Sequence, residues 1–192
     1  MAGPQTACDQ EFGKQEPGQC PDMLEAKLWD NPCPFTFRLN YLALLYNTPL
    51  YSWIQDTYGL KRPEYVVLYS LAIANGGSAR DVSNTSGFPK NTLSRAIKRL
   101  ELMGLIEARS KAPGGGRKQA LRLSEKGMAL FRETLPAFEA QEKRMLKTLT
   151  EGERQMLSEL MSKVVMGAEE WAGELPIETT IGTKDTEKGQ PQ

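Results

Sequence analysis

The sequence predicts a mainly α-helical chain with one small β-hairpin set among the helices. Three observations carry this reading. Apolar residues recur three and four positions apart through several segments. One stretch alternates instead, with Leu121 and Leu123 set against Ala120 and Arg122, as in a half-buried strand. Glycines and prolines mark the turns between these pieces.

Taken in order, residues 1–34 are rich in Pro, Gly, Gln and acids and read as a disordered N-terminal arm. A long helix is predicted from about Thr36 to Thr57, closed by Gly59. It is apolar nearly all round and must be covered on several sides. Pro49 should kink or interrupt it. "RPEYVVLYSLAIANGG" is a second helix, with Pro63 in its first turn and Gly76-Gly77 at its end. Ser78 caps a short third helix, with Asp81 near its positive end, and Ser86-Gly87 turns the chain.

Pro89 to Met103 forms the next helix. Leu93, Ile97, Leu100 and Met103 make its apolar face, while Lys90, Asn91, Ser94, Arg95 and Lys98 gather opposite. Two strand-like pieces, "LIEARS" and "QALRL", then flank the loop "KAPGGGRK". A long helix follows from Ser124, with Pro136 a possible kink. Thr150 and Glu153 make a capping box for the last helix, which places Leu157, Leu160, Met161, Val164, Ala168 and Trp171 at helical spacing. These elements fill residues 35–175, and residues 176–192 read as a disordered tail.

Composition narrows the function. No apolar run approaches the roughly 18 residues of a membrane span, and the start of the chain lacks the order of a secretory signal. Cys8, Cys20 and Cys33 sit singly, which does not make a disulfide framework. A cytoplasmic protein is the simplest expectation. Histidine is absent, which removes His-based metal sites and the commonest general base. With no paired-acid motif or phosphate loop either, no enzyme activity, metal or cofactor is expected.

The net charge of zero hides a division. Residues 76–126 carry eleven Lys or Arg against four Asp or Glu, leaving 13 basic and 20 acidic residues elsewhere. A basic block inside an acidic chain is the footprint expected for a polyanion partner. The order helix, helix, short helix, turn, basic helix, hairpin is that of a winged helix-turn-helix. The head spans about 61–126, between N- and C-terminal helices. Its second helix suits the major groove of double-stranded DNA and its wing the backbone or minor groove.

The stretches "SGFPKNTLSRAIKRLELMGLIEA" and "GGGRKQALRLSEKG", in this order and spacing, resemble the MarR family of bacterial transcriptional regulators. The resemblance covers about residues 36–172. It implies a homodimer made by the first and last helices, with Leu157, Leu160, Met161 and Val164 at the dimerisation face, binding a pseudo-palindromic operator. The DNA-facing set it implies is Lys90, Asn91, Thr92, Ser94, Arg95, Lys98 and Arg99 on the helix, with Arg109, Lys111, Arg117 and Lys118 about the wing. Arg99 and Arg80 have a plainer alternative, pairing with Glu101 or Asp81. In one respect the chain departs from the family: Gly115 and Gly116 precede Arg117 where an acidic residue commonly braces the wing's arginine.

The resemblance also implies a small signal that changes the spacing of two reading heads. An aromatic carboxylate or phenol would lie among Arg38, Tyr41, Tyr46, Asn47, Trp53, Tyr65 and Tyr69, with Arg38 the partner of its carboxylate. The plainer reading of these rings is core packing. Release from DNA would make the protein a ligand-responsive repressor. A redox-sensing repressor using Cys33 is an alternative, although no cation lies near it in sequence. A winged helix used only for protein contacts is another.

Overall fold

The computed structural model describes residues 22–109 and 120–173. In chain order the elements are α1 (Met23–Trp29), α2 (Pro34–Tyr58), α3 (Arg62–Ile73), α4 (Ala79–Ser86), α5 (Lys90–Leu102), β1 (Ile106–Arg109), β2 (Ala120–Leu123), α6 (Glu125–Met145), α7 (Glu151–Met166) and α8 (Ala168–Trp171). They fall into two compact units that divide between Lys143 and Arg144. The fold is mainly α with a small antiparallel hairpin, a winged helix-turn-helix.

The first unit holds the core. Leu50 and Ile54 of α2, Tyr65, Val67, Leu68 and Leu71 of α3, and Leu93, Ala96, Ile97 and Leu100 of α5 are buried together. Leu105, Ile106 and Leu121 join them from the hairpin, and Phe131 and Phe138 from α6. Burying a side chain of this size contributes about 1.5–3 kcal/mol, so the apolar face of α5 is what fixes its polar face outward. The hairpin pairs Ile106 with Leu123 and Arg109 with Ala120 at its two ends. Gly77 extends it through two backbone bonds with Leu121, of 3.0 and 2.8 Å.

Local signals set most boundaries. Gly59, Gly87 and Gly104 all take positive φ, and the first two cap α2 and α4. Ser78 with Asp81 and Thr150 with Glu153 form reciprocal capping boxes. Gly127 answers a different need. A Cβ there would lie 2.0 Å from the carbonyl oxygen of Leu105, so only glycine lets the first turn of α6 seat against the start of the hairpin.

Two expectations need correction, the arm over residues 23–29 and the extent of the last helix. Residues 23–29, read as part of a disordered arm, form α1, which buries no residue fully and half-buries Leu24 and Leu28, four positions apart. Arg38 of α2 ties to it, donating to the Leu28 carbonyl at 2.7 Å and lying over the Trp29 ring, and the Lys27 ammonium lies 5.9 Å from the Phe37 ring centre. Pro49 and Pro136 interrupt neither α2 nor α6. Each proline, and the residue four before it (Leu45, Arg132), is exposed, so the carbonyl each leaves without a donor belongs to a wetted face. The last helix does not run through to Trp171: it stops at Gly167, and Trp171 belongs to α8, its indole donating to the Val164 carbonyl at 3.2 Å.

In the second unit Leu157, Leu160 and Val164 are 41%, 52% and 43% exposed, an apolar stripe left bare by a single chain. Met161 is half-buried. In the first unit the N-terminal half of α2 is similarly bare, at Phe35, Leu39, Leu42, Leu44 and Leu45.

Candidate nucleic-acid interface

α5 is anchored along its buried face, which presents Lys90, Asn91, Ser94, Arg95 and Lys98 to solvent, with Thr92 half-buried beside them. Pro89 stands at the N-cap and leaves the first turn without a side-chain cap. Free backbone amides and the helix dipole there favour an anion. Asn91 satisfies one of them, its Oδ1 accepting from the Thr92 amide at 2.8 Å, which leaves its side-chain NH2 to donate outward. The Ser94 hydroxyl donates to the Lys90 carbonyl at 2.9 Å and so faces outward as an acceptor.

Among the described residues, Lys90, Arg95 and Lys98 make no ion pair or hydrogen bond through their side chains. Three cations on one helix face, with no acid neutralising them, keep their charge available to phosphates and base edges. Arg80, at the start of α4, is exposed as well. Arg99 does not belong with these. Its Nη1 lies 3.3 Å from Glu64 Oε1, and its Nη2 donates to the Gly59 carbonyl at 2.9 Å. The partner is therefore Glu64 of α3 rather than Glu101, and the guanidinium, though its side chain is 44% exposed, is committed to α3 and the end of α2. Arg109 ends β1. Lys111, Arg117 and Lys118, with the glycine loop, lie outside the described residues.

The residues predicted as an effector cage are dispersed. Tyr65 is fully buried, stacked 5.0 Å from Phe138, and its hydroxyl meets Thr134 Oγ1 at 2.7 Å. Tyr69 packs on Phe131 and Phe138, and Tyr46 donates to the Phe138 carbonyl at 3.2 Å. Trp53 meets Tyr58 edge to face, and Tyr41 stacks on Phe37. Arg38 is engaged by α1. These aromatic residues mostly build a cluster around Phe138, and burial pushes the Tyr46 and Tyr65 hydroxyls up from 10.0 to about 12.

Two clefts lie along α2: Tyr41 lines one of about 490 Å³ with Lys27, Phe37 and Asn40, and Asn47 lines another of about 280 Å³ shared with Asn40, Ala43, Leu44, Thr48, Tyr51 and Arg62. Sequence reasoning did not place Arg62 at this cleft, because it precedes Pro63 at the start of α3, where it reads as a helix-start residue. Its guanidinium lies 5.1 Å from the Tyr51 ring centre and 5.9 Å from that of Phe88. Tyr51 itself is raised by burial, against an opposing pull from the Arg62 charge. Cys33 is an exposed free thiol at the N-cap of α2. No described helix is long and apolar enough to cross a membrane.

Residues 58–118 match the family model described as the MarR family. No curated protein sequence matches the chain. Among solved structures, the chain is similar to a MarR-family transcriptional regulator from Silicibacter pomeroyi, at 23% identity and a TM-score of 0.65, over 81% of this chain and 100% of that one. A MarR-family regulator from Listeria monocytogenes, complexed with 26mer DNA, matches at 23% identity and a TM-score of 0.65, over 72% and 91% of the two chains. A Mycobacterium tuberculosis MarR-family protein in complex with p-aminosalicylic acid matches at 19% identity and a TM-score of 0.56, over 68% and 98%. At these identities the likeness is one of fold.

Proposed function

From a winged helix-turn-helix fold of the MarR family, we propose that this protein is a transcriptional regulator that binds double-stranded DNA as a homodimer. The observation that carries the proposal is the row of exposed cations on α5 that no described residue neutralises: Lys90, Arg95 and Lys98. Two such helices in a dimer reach successive major grooves when half-site centres lie about 34–36 Å apart. The bare apolar stripe on α7 and the bare half of α2 supply faces for a second copy. The Listeria relative complexed with 26mer DNA supports the same use of the fold.

The signal is a small aromatic acid, and the protein acts as a repressor released by it. The cleft of about 280 Å³ that holds Arg62 sits just below the roughly 300–1,000 Å³ of most ligand sites, which suits a single ring. Arg62, not Arg38, is the carboxylate partner, with Asn47 and Asn40 as further polar contacts. The p-aminosalicylic acid in the M. tuberculosis relative is a ligand of this class. Derepression follows only if the acid prefers the head spacing that does not fit DNA, since equal affinity for both states shifts nothing.

The test is selection of duplexes from a random library, footprinting of the winners, and titration with benzoate-class acids. Two protected half-sites one turn apart, released by an acid in wild type but not in Arg62→Ala, are expected. Arg95→Ala should lower affinity for the selected duplex by about 1–3 kcal/mol and relax one base position, as loss of a base contact does. Failure to retain any duplex would leave the winged helix as a protein-contact module. Release by peroxide, abolished in Cys33→Ser, with no response to acids would replace the effector reading by the redox one.

A further inference from the structure

Three elements of the first unit converge on one guanidinium. Gly59 is where α2 ends, in the left-handed conformation at φ 67°. Lys61 is the N-cap of α3, and its amide donates to Glu64 Oε2 at 2.7 Å. The other oxygen of the same carboxylate faces Arg99 Nη1, while Arg99 Nη2 takes the Gly59 carbonyl. Glu64 is 6% exposed, so its charge is held by these two donors rather than by water.

We propose that Arg99 is a positioning residue for DNA recognition: it fixes the angle of α5 to the elbow between α2 and α3 without touching DNA itself. A planar guanidinium with two donors committed to two acceptors on different elements sets orientation as well as distance, which an ammonium does not. The elbow adjoins the effector cleft, since Arg62 lies between Lys61 and Glu64. A ligand that moves the start of α3 therefore moves Glu64, and with it the helix that carries Arg95 and Lys98. This inference rests on the DNA-binding reading above.

The experiment compares Arg99→Lys, Arg99→Gln and Glu64→Gln in the full-length protein, against the library-selected duplex and a random-sequence duplex. Arg99→Lys keeps the charge and loses the fork, and should lower affinity for the selected duplex about tenfold while leaving the random duplex within about twofold. Glu64→Gln adds a positive charge overall, yet should weaken selected-duplex binding in the same way. The salt slope should be unchanged in all three. A phosphate-contact role predicts the reverse: Arg99→Lys near wild type, Arg99→Gln with a slope smaller by about 0.9, and Glu64→Gln binding as tightly or more tightly. That pattern overturns the proposal.

A second readout needs no DNA. Spin labels at Asp56→Cys and Leu102→Cys, both exposed sites, are placed in a chain whose native cysteines are replaced by serine. Their distance distribution should broaden or shift when Arg99→Lys or Glu64→Gln is added. An unchanged distribution in a folded variant overturns the positioning role. If wild type retains no duplex, the DNA reading has failed and the spin-label distances alone decide this one.

Discussion

Replacing Gly127 by alanine tests the packing of the hairpin against α6 most directly. The added Cβ would meet the Leu105 carbonyl oxygen at 2.0 Å and its carbon at 3.0 Å, both backbone atoms that no rotamer change can move away. The first turn of α6 must retreat by more than an ångström. Doing so stretches the bond from the Ser124 amide to that same carbonyl, now 3.1 Å. Overpacking of this kind costs about 1–3 kcal/mol, and a lost backbone bond about 0.5–1.5 kcal/mol more. Alanine's better helix propensity offsets about 1 kcal/mol. With the contact so short the upper part of the range applies, giving a net loss of about 2–3 kcal/mol. For a chain of this size that is roughly 5–10 °C in Tm. The control is Gly152→Ala in α7, where a Cβ meets nothing within 4 Å and the helix gains propensity alone. Urea and thermal unfolding at one fixed protein concentration should show the two substitutions moving stability in opposite directions. If Gly127→Ala stabilised as Gly152→Ala does, the close approach of α6 to Leu105 would be wrong.

Three further outcomes are expected. Thr134→Val should cost about 1–3 kcal/mol because it leaves the buried Tyr65 hydroxyl unpaired, whereas Tyr65→Phe should cost less, since Thr134 keeps its bonds to the Leu130 and Phe131 carbonyls; equal losses by urea unfolding would refute the asymmetry. The raised Tyr46 and Tyr65 hydroxyls favour the folded state with both protonated, so stability is full below pH 10, where the unfolded tyrosines begin to ionise, and falls as pH climbs toward 12; Tyr46→Phe should flatten that alkaline slope, and an unchanged slope would speak against the burial of this hydroxyl. Leu160→Asp should leave a monomer by sedimentation and abolish duplex binding, by placing an unpaired charge in the proposed dimer face; a variant still dimeric and DNA-bound would remove this stripe from the interface.

The fold was legible where sequence signals are local. Ser78 announced its cap, Thr150 its capping box, Gly59 its helix end, and the apolar spacing of α5 its core-facing side, because each acts within a turn or two of its own position. That α2 runs on through Pro49 was not legible for the opposite reason: whether a proline breaks a helix depends on whether the carbonyl it frees is wet, and that depends on distant neighbours. The outward cations Arg95 and Lys98 were legible, but for Arg99, one position on, the sequence left open DNA contact or pairing with Glu101, and neither named its actual partners. Glu64 lies 35 residues earlier in the chain and Gly59 lies 40, so no spacing rule could have paired them with it. The engagement of Arg38 was not legible either, because α1, which supplies its partners, was read as part of the arm.

The junction between α5 and α6 has a consequence for how this chain can vary. The Lys126 ammonium donates to the Met103 carbonyl at 3.0 Å, and the Ser124 hydroxyl to the Gly104 carbonyl at 2.7 Å. Both acceptors are main-chain oxygens, which every amino acid possesses, whereas both donors are particular side chains. Gly127 completes the asymmetry by approaching a third carbonyl, that of Leu105. Mutational tolerance at this joint should therefore be one-sided. Substitutions at Met103 leave its acceptor in place, while those at Ser124, Lys126 or Gly127 remove a grip. Relatives with the same joint would then share "SEKG" while varying at Met103, whereas Gly104 is held by its positive φ and Leu105 by the core rather than by this contact.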